Sequence, residues 1–481
     1  MTPSLILLVF GIYTVLIFAV TWITSRKATS DTFFTGNRQS PWYIVAYGMI
    51  GASLSGVTFM SVPGWVQNTQ FTYMGMVAGF LVGYFIIAFI LLPLYYKLNL
   101  TSIYTYLEQR FGFFTYKSGA SFFILSRTLG ASLRMFLVVS VLYEFVFKAW
   151  GIPFWVAGLI FVMLIILYTM EGGIKTIVWT DTLQTTFMLA AVVLSIYFIA
   201  KEMGLDFGSM FKEIKQSELS RTVVTDWRDK RFWLKQFLSG IFTTIVMTGL
   251  DQEMMQKNLS CRNLKDAQKN MITFSFTLVF VNLFFLTLGA ILVIYARNYG
   301  ISVENTDTLF PEIAIRHLGV LPGLVFVIGL ISAAYPSADG ALTSLTTSFV
   351  IDILGLEKKN LPEKKKKKFR YAVHISFALL FLGFIVLFKN MNDSAVIDKL
   401  YTISSYTYGP LLGFFCFGIF TKYKIRDWAV PFIAVASPLL CYVLSTFSKE
   451  WFKGYEFGFE LLILNGFITF TGLWAMRIKN R

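Results

Sequence analysis

Asp339 stands three residues beyond Pro336 in the apolar stretch Ile331-Ser332-Ala333-Ala334-Tyr335-Pro336-Ser337-Ala338-Asp339-Gly340-Ala341-Leu342-Thr343. Proline has no N–H to give the Ser332 carbonyl, and its ring pushes that turn of helix open. Asp339 falls on the same helix face as Pro336. A carboxylate, the Ser337 hydroxyl and freed carbonyls together make an all-oxygen, singly charged setting that suits a hard monovalent cation. The competing reading is a proline kink with a hydrogen-bonded Asp, although a buried carboxylate without a cation tends to be protonated.

A second stretch, Gly48-Met49-Ile50-Gly51-Ala52-Ser53-Leu54-Ser55-Gly56-Val57-Thr58, gathers glycines and hydroxyls between Pro41 and Pro63. Its shortage of helix formers predicts a break, which would free carbonyl oxygens and expose helix ends at membrane depth. Close packing through small residues explains the glycines, but not the hydroxyls bunched around them. Asp181, in Trp179-Thr180-Asp181, is another acid at membrane depth and is read either as part of a polar site or as a helix cap. Arg127 and Arg134 lie two turns apart and so share a face. Arg127 is expected to snorkel to a membrane surface, and the deeper Arg134 to meet a solute or a carboxylate.

These residues lie in a chain of 481 residues that is 56% hydrophobic and 14% charged, with 50 phenylalanines. That is more apolar surface than a soluble core can hide. A span needs about 20 apolar residues. Blocks of that kind fall near 3–25, 41–65, 72–96, 119–147, 153–170, 176–200, 232–250, 271–296, 321–353, 371–389, 396–420, 428–447 and 457–476, which predicts thirteen transmembrane helices. The first block lacks the basic start and small-residue cleavage site of a signal peptide and reads as a retained helix.

The net charge of +15 raises the thought of nucleic acid, but its placement argues otherwise. Arg26, Lys27 and Arg38 follow the first block, Lys257, Arg262, Lys265 and Lys269 the seventh, Lys422, Lys424 and Arg426 the eleventh, and Arg477, Lys479 and Arg481 the last. Charges in alternate connections mark one side of a membrane as cytoplasmic and put the amino terminus outside. The run Lys364 to Lys368 with Arg370 falls on that side too and is read as a topology determinant rather than a lipid site. Cys261, Cys416 and Cys441 are far apart and form no metal or disulfide pattern. His317 and His374 are isolated, and no nucleotide-binding, hydrolase or kinase motif is present, so no enzyme activity is expected.

With these residues in view, the sequence resembles the sodium:solute symporter family over almost its whole length. The pieces that carry the likeness are Ser53-Leu54-Ser55-Gly56-Val57-Thr58-Phe59 with Pro63, Tyr168-Thr169-Met170-Glu171-Gly172-Gly173-Ile174-Lys175 running into Val178-Trp179-Thr180-Asp181, and Ala333 to Thr343. The resemblance implies an all-α membrane protein with the leucine-transporter-like inverted repeat of 5+5 helices. On that pattern, residues 1–28 are an extra helix, 41–200 the first repeat, 232–426 the second and 427–481 two further helices of one transmembrane domain.

It also implies a sodium ion held by the Gly51 and Leu54 carbonyls, the Ala333 carbonyl and the Ser337 hydroxyl. Pro336 occupies a position where relatives place a second serine, and the Ser332 carbonyl or Asp339 is expected to make good the loss. Some relatives bind a second sodium near an acid matching Asp181, but the hydroxyl positions there read Pro336, Asp339 and Gly340, which leaves the stoichiometry open. Ser53, Ser55, Thr58, Phe242 and Arg134 are the implied solute contacts. Arg134 matches a carboxylate-binding arginine of sialic acid symporters, while Met76-Val77-Ala78 stands where those transporters have a glutamine, so sialic acid itself is not assigned.

The expected function is sodium-coupled uptake of a sugar, sugar acid or amino acid across a bacterial inner membrane, with the lipid bilayer as surroundings and no nucleic acid or obligate protein partner. A proton-coupled symporter using Asp339 or Asp181, and a transporter-like membrane sensor, are the alternatives. The segment from Lys201 to Arg231 is expected to lie outside and fold over the entrance.

Overall fold

Without water to bond to, a backbone in hydrocarbon bonds to itself, and the apolar blocks accordingly form helices. The computed structural model describes residues 1–24, 38–359, 361–390 and 395–478, the side chains at 168, 171–175 and 357 excepted. Arg26, Lys27, Lys479, Arg481 and the side chains of Tyr168 and of Glu171 to Lys175 lie outside the described residues. In chain order the helices that matter are α1 (Pro3–Thr24), α2 (Trp42–Ser53), α3 (Gly56–Thr69), α4 (Tyr73–Lys97), α5 (Phe113–Trp150), α6 (Phe154–Glu202) and α7 (Phe207–Gln216). They continue with α8 (Trp233–Thr244, extended by a π turn Ile245–Gly249), α9 (Gln252–Leu259), α10 (Leu264–Asn298), α11 (Val320–Ile353), α12 (Glu363–Lys389), α13 (Val396–Thr407), α14 (Gly409–Phe420), α15 (Val430–Thr446) and α16 (Leu461–Ala475).

Among the described residues, eight helices are long and apolar enough to cross a membrane, or ten if each of two bent pairs is one span. The bent pairs are α2 with α3, at 57°, and α13 with α14, at 46°. The blocks at 153–170, 232–250 and 457–476 are helical too, but their apolar parts are shorter. A two-residue antiparallel pair joins Lys424–Ile425 to Arg477–Ile478.

The fifth and sixth expected blocks form one unbroken helical run, α6. That run nevertheless doubles back. Ring contacts of 5.8, 6.3 and 5.7 Å lead from Phe161 through Tyr335 and Tyr13 to Phe187, whereas a straight helix would set Phe161 and Phe187 roughly 39 Å apart. Both arms therefore reach α11, Phe161 against Tyr335 and Ala191 against Gly329, as two spans would.

The seventh block ends at an interruption the sequence reading did not include. Leu250 and Asp251 leave helical geometry between α8 and α9, and the Asp251 carboxylate caps α9 by accepting from the Glu253 N–H at 2.9 Å and the Met254 N–H at 3.3 Å. All eight residues of α9 are buried, so Lys257 is not in a cytoplasmic loop as the charge pattern suggested. His374 is likewise not isolated: its ring bridges the hydroxyls of Thr169 (2.8 Å) and Thr346 (3.0 Å), joining α12 to α6 and α11.

Helices α4 and α8 touch backbone to backbone. A Cβ on Gly240 would lie 2.9 Å from the Met76 carbonyl carbon and 3.0 Å from Gly79 Cα. Gly240→Leu is expected to cost about 1–3 kcal/mol by overpacking, read as a lower thermal midpoint. Gly11→Ala, on an open face of α1 with nothing within 4 Å, should not lower the midpoint, since alanine is the better helix former.

Candidate functional site

The site begins at the break between α2 and α3. Leu54 and Ser55 adopt extended or irregular angles there, so Gly51 and the residues after it fall out of the helical hydrogen-bond ladder. Three glycines bring neighbours up against this turn. A Cβ on Gly48 would lie 3.2 Å from Asp181 Cβ, one on Gly51 would strike the Thr185 hydroxyl, and one on Gly56 would lie 2.8 Å from Val138 and 3.9 Å from Ala334 Cα. The Gly51 N–H donates to Thr185 Oγ1 at 3.0 Å. Thus α5, α6 and α11 all converge on the break.

The two interruptions are finished differently. At α8–α9, Tyr95 donates to the Gly249 carbonyl and Tyr104 to the Leu250 carbonyl, each at 2.8 Å. Among the described residues no side chain donates to the Gly51 or Leu54 carbonyls. Beside them on α11, Ala333, Pro336, Ser337 and Asp339 are fully buried or nearly so. Ser337 spends its proton on the Ala334 carbonyl at 2.9 Å, which leaves its oxygen lone pairs free to accept. Pro336 does not interrupt α11, which runs through it; the local loss is the N–H that Ser332 would have received.

A cavity with about 730 Å³ of empty space, part of it open to solvent, lies against the same break. Ser53, Leu54, Ser55 and Thr58 line it from α2 and α3, and Arg127 and Arg134 from α5. Thr243, Thr244 and Thr248 line it from α8, Asn282 from α10, and Tyr401 from α13. Phe242 is half-buried and is not among the lining residues; its neighbours Thr243 and Thr244 take that place. Among the lining residues, Arg134 Nε and Nη1, Arg127 Nε, Thr244 Oγ1 and Asn282 Oδ1 have no hydrogen-bond partner in the protein. Buried polar atoms are rarely left so, and this set offers donors and an acceptor to something inside the cavity.

One wall of the cavity is closed by rings. The hydroxyls of Tyr73 and Tyr401 meet at 3.0 Å, Trp65 packs on Tyr73 at 5.6 Å, and Phe459 lies on Tyr401 at 4.8 Å. The segment beyond Lys201 crosses this end of the molecule, its Arg221 carbonyl accepting from the Phe71 N–H at 3.0 Å and Arg231 donating to the Asn68 carbonyl at 3.2 Å.

The opposite wall is closed by charge, and here two expectations are corrected. Arg127 does not snorkel: it is 5% exposed, hydrogen-bonds the Glu253 carboxylate and lies 4.0 Å from Asp251. Asp181 caps nothing, because α6 is continuous through it; its carboxylate accepts from Lys257 Nζ at 2.7 Å, with both side chains at most 1% exposed. Lys257 also lies 3.5 Å from Glu253, and Tyr408 donates to Asp251 at 2.7 Å. An unbroken chain of contacts runs from Asp181 through Lys257, Glu253, Arg127 and Asp251 to Tyr408. The sequence signal for it was Gly249-Leu250-Asp251, a helix stop followed by a cap residue, together with two acids and a lysine within one short segment.

Broken helices around a polar cavity, held by apolar spans, are the architecture of a multi-pass membrane transporter. The chain belongs to the sodium:solute symporter family, whose sequence model matches residues 33–427. It is 24% identical over 461 residues to the sodium/sialic acid symporter NanT of Aliivibrio fischeri, with 93% of this chain and 89% of the relative covered. Against the sodium/sialic acid symporter SiaT of Proteus mirabilis the identity is 25% over 442 residues, covering 89% and 86%. Among solved structures, a substrate-bound, outward-open Na⁺-coupled sialic acid symporter superposes with a TM-score of 0.82 at 21% identity, covering 98% of this chain and 97% of the other. The nucleobase-cation-symport-1 family transporter Mhp1 follows with a TM-score of 0.58 at 12% identity, covering 93% and 95%. Sodium is the coupling ion and the activity is sodium-coupled solute symport by alternating access.

Removing one partner of a buried ion pair strands the other charge, at about 3–5 kcal/mol. Lys257→Ala is expected to lower the thermal midpoint sharply, and Lys257→Ala with Asp181→Ala to recover part of the loss. A double variant no better than the single would show that the two side chains are not energetically coupled.

Proposed function

We propose that the cavity beside the helix break carries a small polar solute bearing one carboxylate, held by Arg134, with sodium bound next to it at Gly51, Leu54, Ala333 and Ser337. The observation that carries the solute class is the Arg134 guanidinium, 6% exposed and with two N–H groups unpartnered, at the cavity wall. Arg127 faces the same cavity but is engaged by Glu253 and lies 4.0 Å from Asp251, which leaves Arg134 as the guanidinium at the cavity wall with no acid in salt-bridge contact among the described residues. Ser53, Ser55 and Thr58 from the break, with Thr243 and Thr244, supply hydroxyls for a polyol or amide portion. Met76 and Val77 are buried and contribute no polar group to the cavity, which favours a carboxylate recognised differently from the sialic acid of the relatives.

The sodium placement rests on the contrast between the breaks. Tyrosines donate to the carbonyls at Gly249 and Leu250, while those at Gly51 and Leu54 have no side-chain donor among the described residues and lie in a break that α11 approaches at Gly56 and Ala334. A sodium ion supplies the missing positive partner, and Asp339 on the same helix supplies countercharge without direct contact. Asp181, paired to Lys257, serves the fold of the closed wall in this reading rather than the ion.

We further infer thirteen spans arranged as 5+5 inverted repeats, 41–200 and 232–426, with one helix before and two after. The break at Leu54 in the first repeat and that at Leu250 in the second then hold corresponding places. The amino terminus lies outside and the carboxyl terminus in the cytoplasm of a bacterial inner membrane. Inward sodium movement contributes about 2.3 kcal/mol per charge per 100 mV to uptake.

The test is the thermal midpoint of the purified protein in sodium against potassium at equal ionic strength, across sugars, sugar acids and amino acids. Binding at 100 times the dissociation constant stabilises by about 2.7 kcal/mol. We expect a sodium-specific rise, a further rise with a carboxylate-bearing solute, and loss of only the second in Arg134→Gln. A solute rise that survives in Arg134→Gln overturns the carboxylate assignment; equal midpoints in the two salts overturn the sodium placement.

A further inference from the structure

The first helix stands outside the proposed repeats, yet it makes specific contacts with the proline turn of α11. Ser332 is the residue whose carbonyl Pro336 leaves without an N–H donor, and Tyr335 is the residue immediately before the proline. Both are fully buried, and both are hydrogen-bonded to neighbouring residues of α1. The Ser332 hydroxyl donates to the Tyr13 phenol oxygen at 2.9 Å and lies 2.6 Å from the Ile328 carbonyl, so its single proton is shared between the two acceptors. Thr14 gives its one proton to the Phe10 carbonyl at 2.8 Å and accepts from the Tyr335 phenol at 2.9 Å.

The rings repeat this pairing. Tyr335 lies between Tyr13, at 6.3 Å and nearly parallel, and Phe161 of α6, at 5.8 Å. Two hydrogen bonds and a ring stack therefore bind α1 to the one turn of α11 that its own backbone holds less firmly. Ala333 and Ser337 lie on that same turn. A cation site tolerates little displacement of its ligands, so whatever fixes this turn fixes the spacing between the Ala333 carbonyl, the Ser337 hydroxyl and the break at Leu54.

We propose that α1 is a positioning element for sodium: Tyr13 and Thr14 clamp the Pro336 turn of α11 in the geometry that binds the ion. The inference rests on the sodium placement argued above. It gives a function to a helix that contributes no residue to the cavity, and it accounts for how a proline is accommodated beside an ion site.

The experiment titrates the full-length protein with sodium chloride against potassium chloride at constant ionic strength and follows the thermal midpoint, with sodium alone as ligand. Tyr13→Phe and Thr14→Val each remove one hydrogen bond between α1 and α11, Thr14→Val also removing the bond within α1 to the Phe10 carbonyl. Each is expected to raise the half-saturating sodium concentration about three- to tenfold, the effect of one net hydrogen bond. Thr24→Val, which removes an α1 hydroxyl that contacts Thr176 instead, should leave it unchanged. In a Pro336→Ser background, where the N–H is restored, the Tyr13→Phe effect should shrink.

A lower midpoint in both salts with an unchanged half-saturating sodium concentration, in both variants, would show that the contacts are merely structural and overturn the proposal. Ser337→Ala separates the two readings. If it abolishes the sodium response while Tyr13→Phe and Thr14→Val leave the half-saturating concentration intact, the ion site stands and the clamp falls. If Ser337→Ala leaves the response unchanged, the ion placement falls and the clamp with it.

Discussion

A helix interrupted inside a membrane must have its freed backbone groups enclosed by protein, because lipid offers them no hydrogen bonds. Much of the architecture follows from meeting that demand twice. Around Leu54 it is met by close approach: Gly48, Gly51 and Gly56 carry no side chain, so Asp181, Thr185 and Val138 come up to the turn. Around Leu250 it is met by long polar side chains, with Tyr95 and Tyr104 on the carbonyl side and the Asp251 carboxylate on the amide side. The first solution leaves the Gly51 and Leu54 carbonyls without a side-chain donor, whereas at Gly249 and Leu250 each carbonyl accepts from a tyrosine. On the proposed sodium placement, that asymmetry separates a break that binds from one that anchors.

The anchoring break carries α9, every residue of which is buried, and α9 carries the charges that close one side of the cavity. Buried ions are costly unless each has a partner, and here Asp181, Lys257, Glu253, Arg127 and Asp251 are partnered in succession across α6, α9 and α5. Such a chain specifies one arrangement of three helices. It also couples them, since displacing α9 alone would strand charges on α5 and α6.

The other side of the cavity is closed by Trp65, Tyr73, Tyr401 and Phe459. Aromatic contacts and one hydroxyl pair are weaker, less directional and less dependent on complete partnering than an ion chain. The two closures therefore differ in kind: rings can separate and regain water at modest cost, whereas the ionic side opens only by moving its helices together. On the proposed placement of ion and solute, alternating access would work between those two unequal barriers.

The sequence by itself determined the membrane class, the order of the apolar helices, the break at Gly48 to Thr58 and the buried stretch around Pro336, because each depends on local composition: hydrophobic length, helix-breaking residues and polar groups in apolar runs. Ser53, Ser55, Thr58 and Arg134, which the family resemblance named as solute contacts, line a cavity in the structure. Only the tertiary structure decided which charges meet. Lys257 has the local look of a cytoplasmic loop lysine and Arg127 that of a snorkelling arginine, yet each is buried against an acid far away in the chain. Likewise nothing near Tyr13 in sequence announces Ser332. A side chain's exposure and partner are properties of the packed helices around it, and packing across a bundle is not written in any one segment.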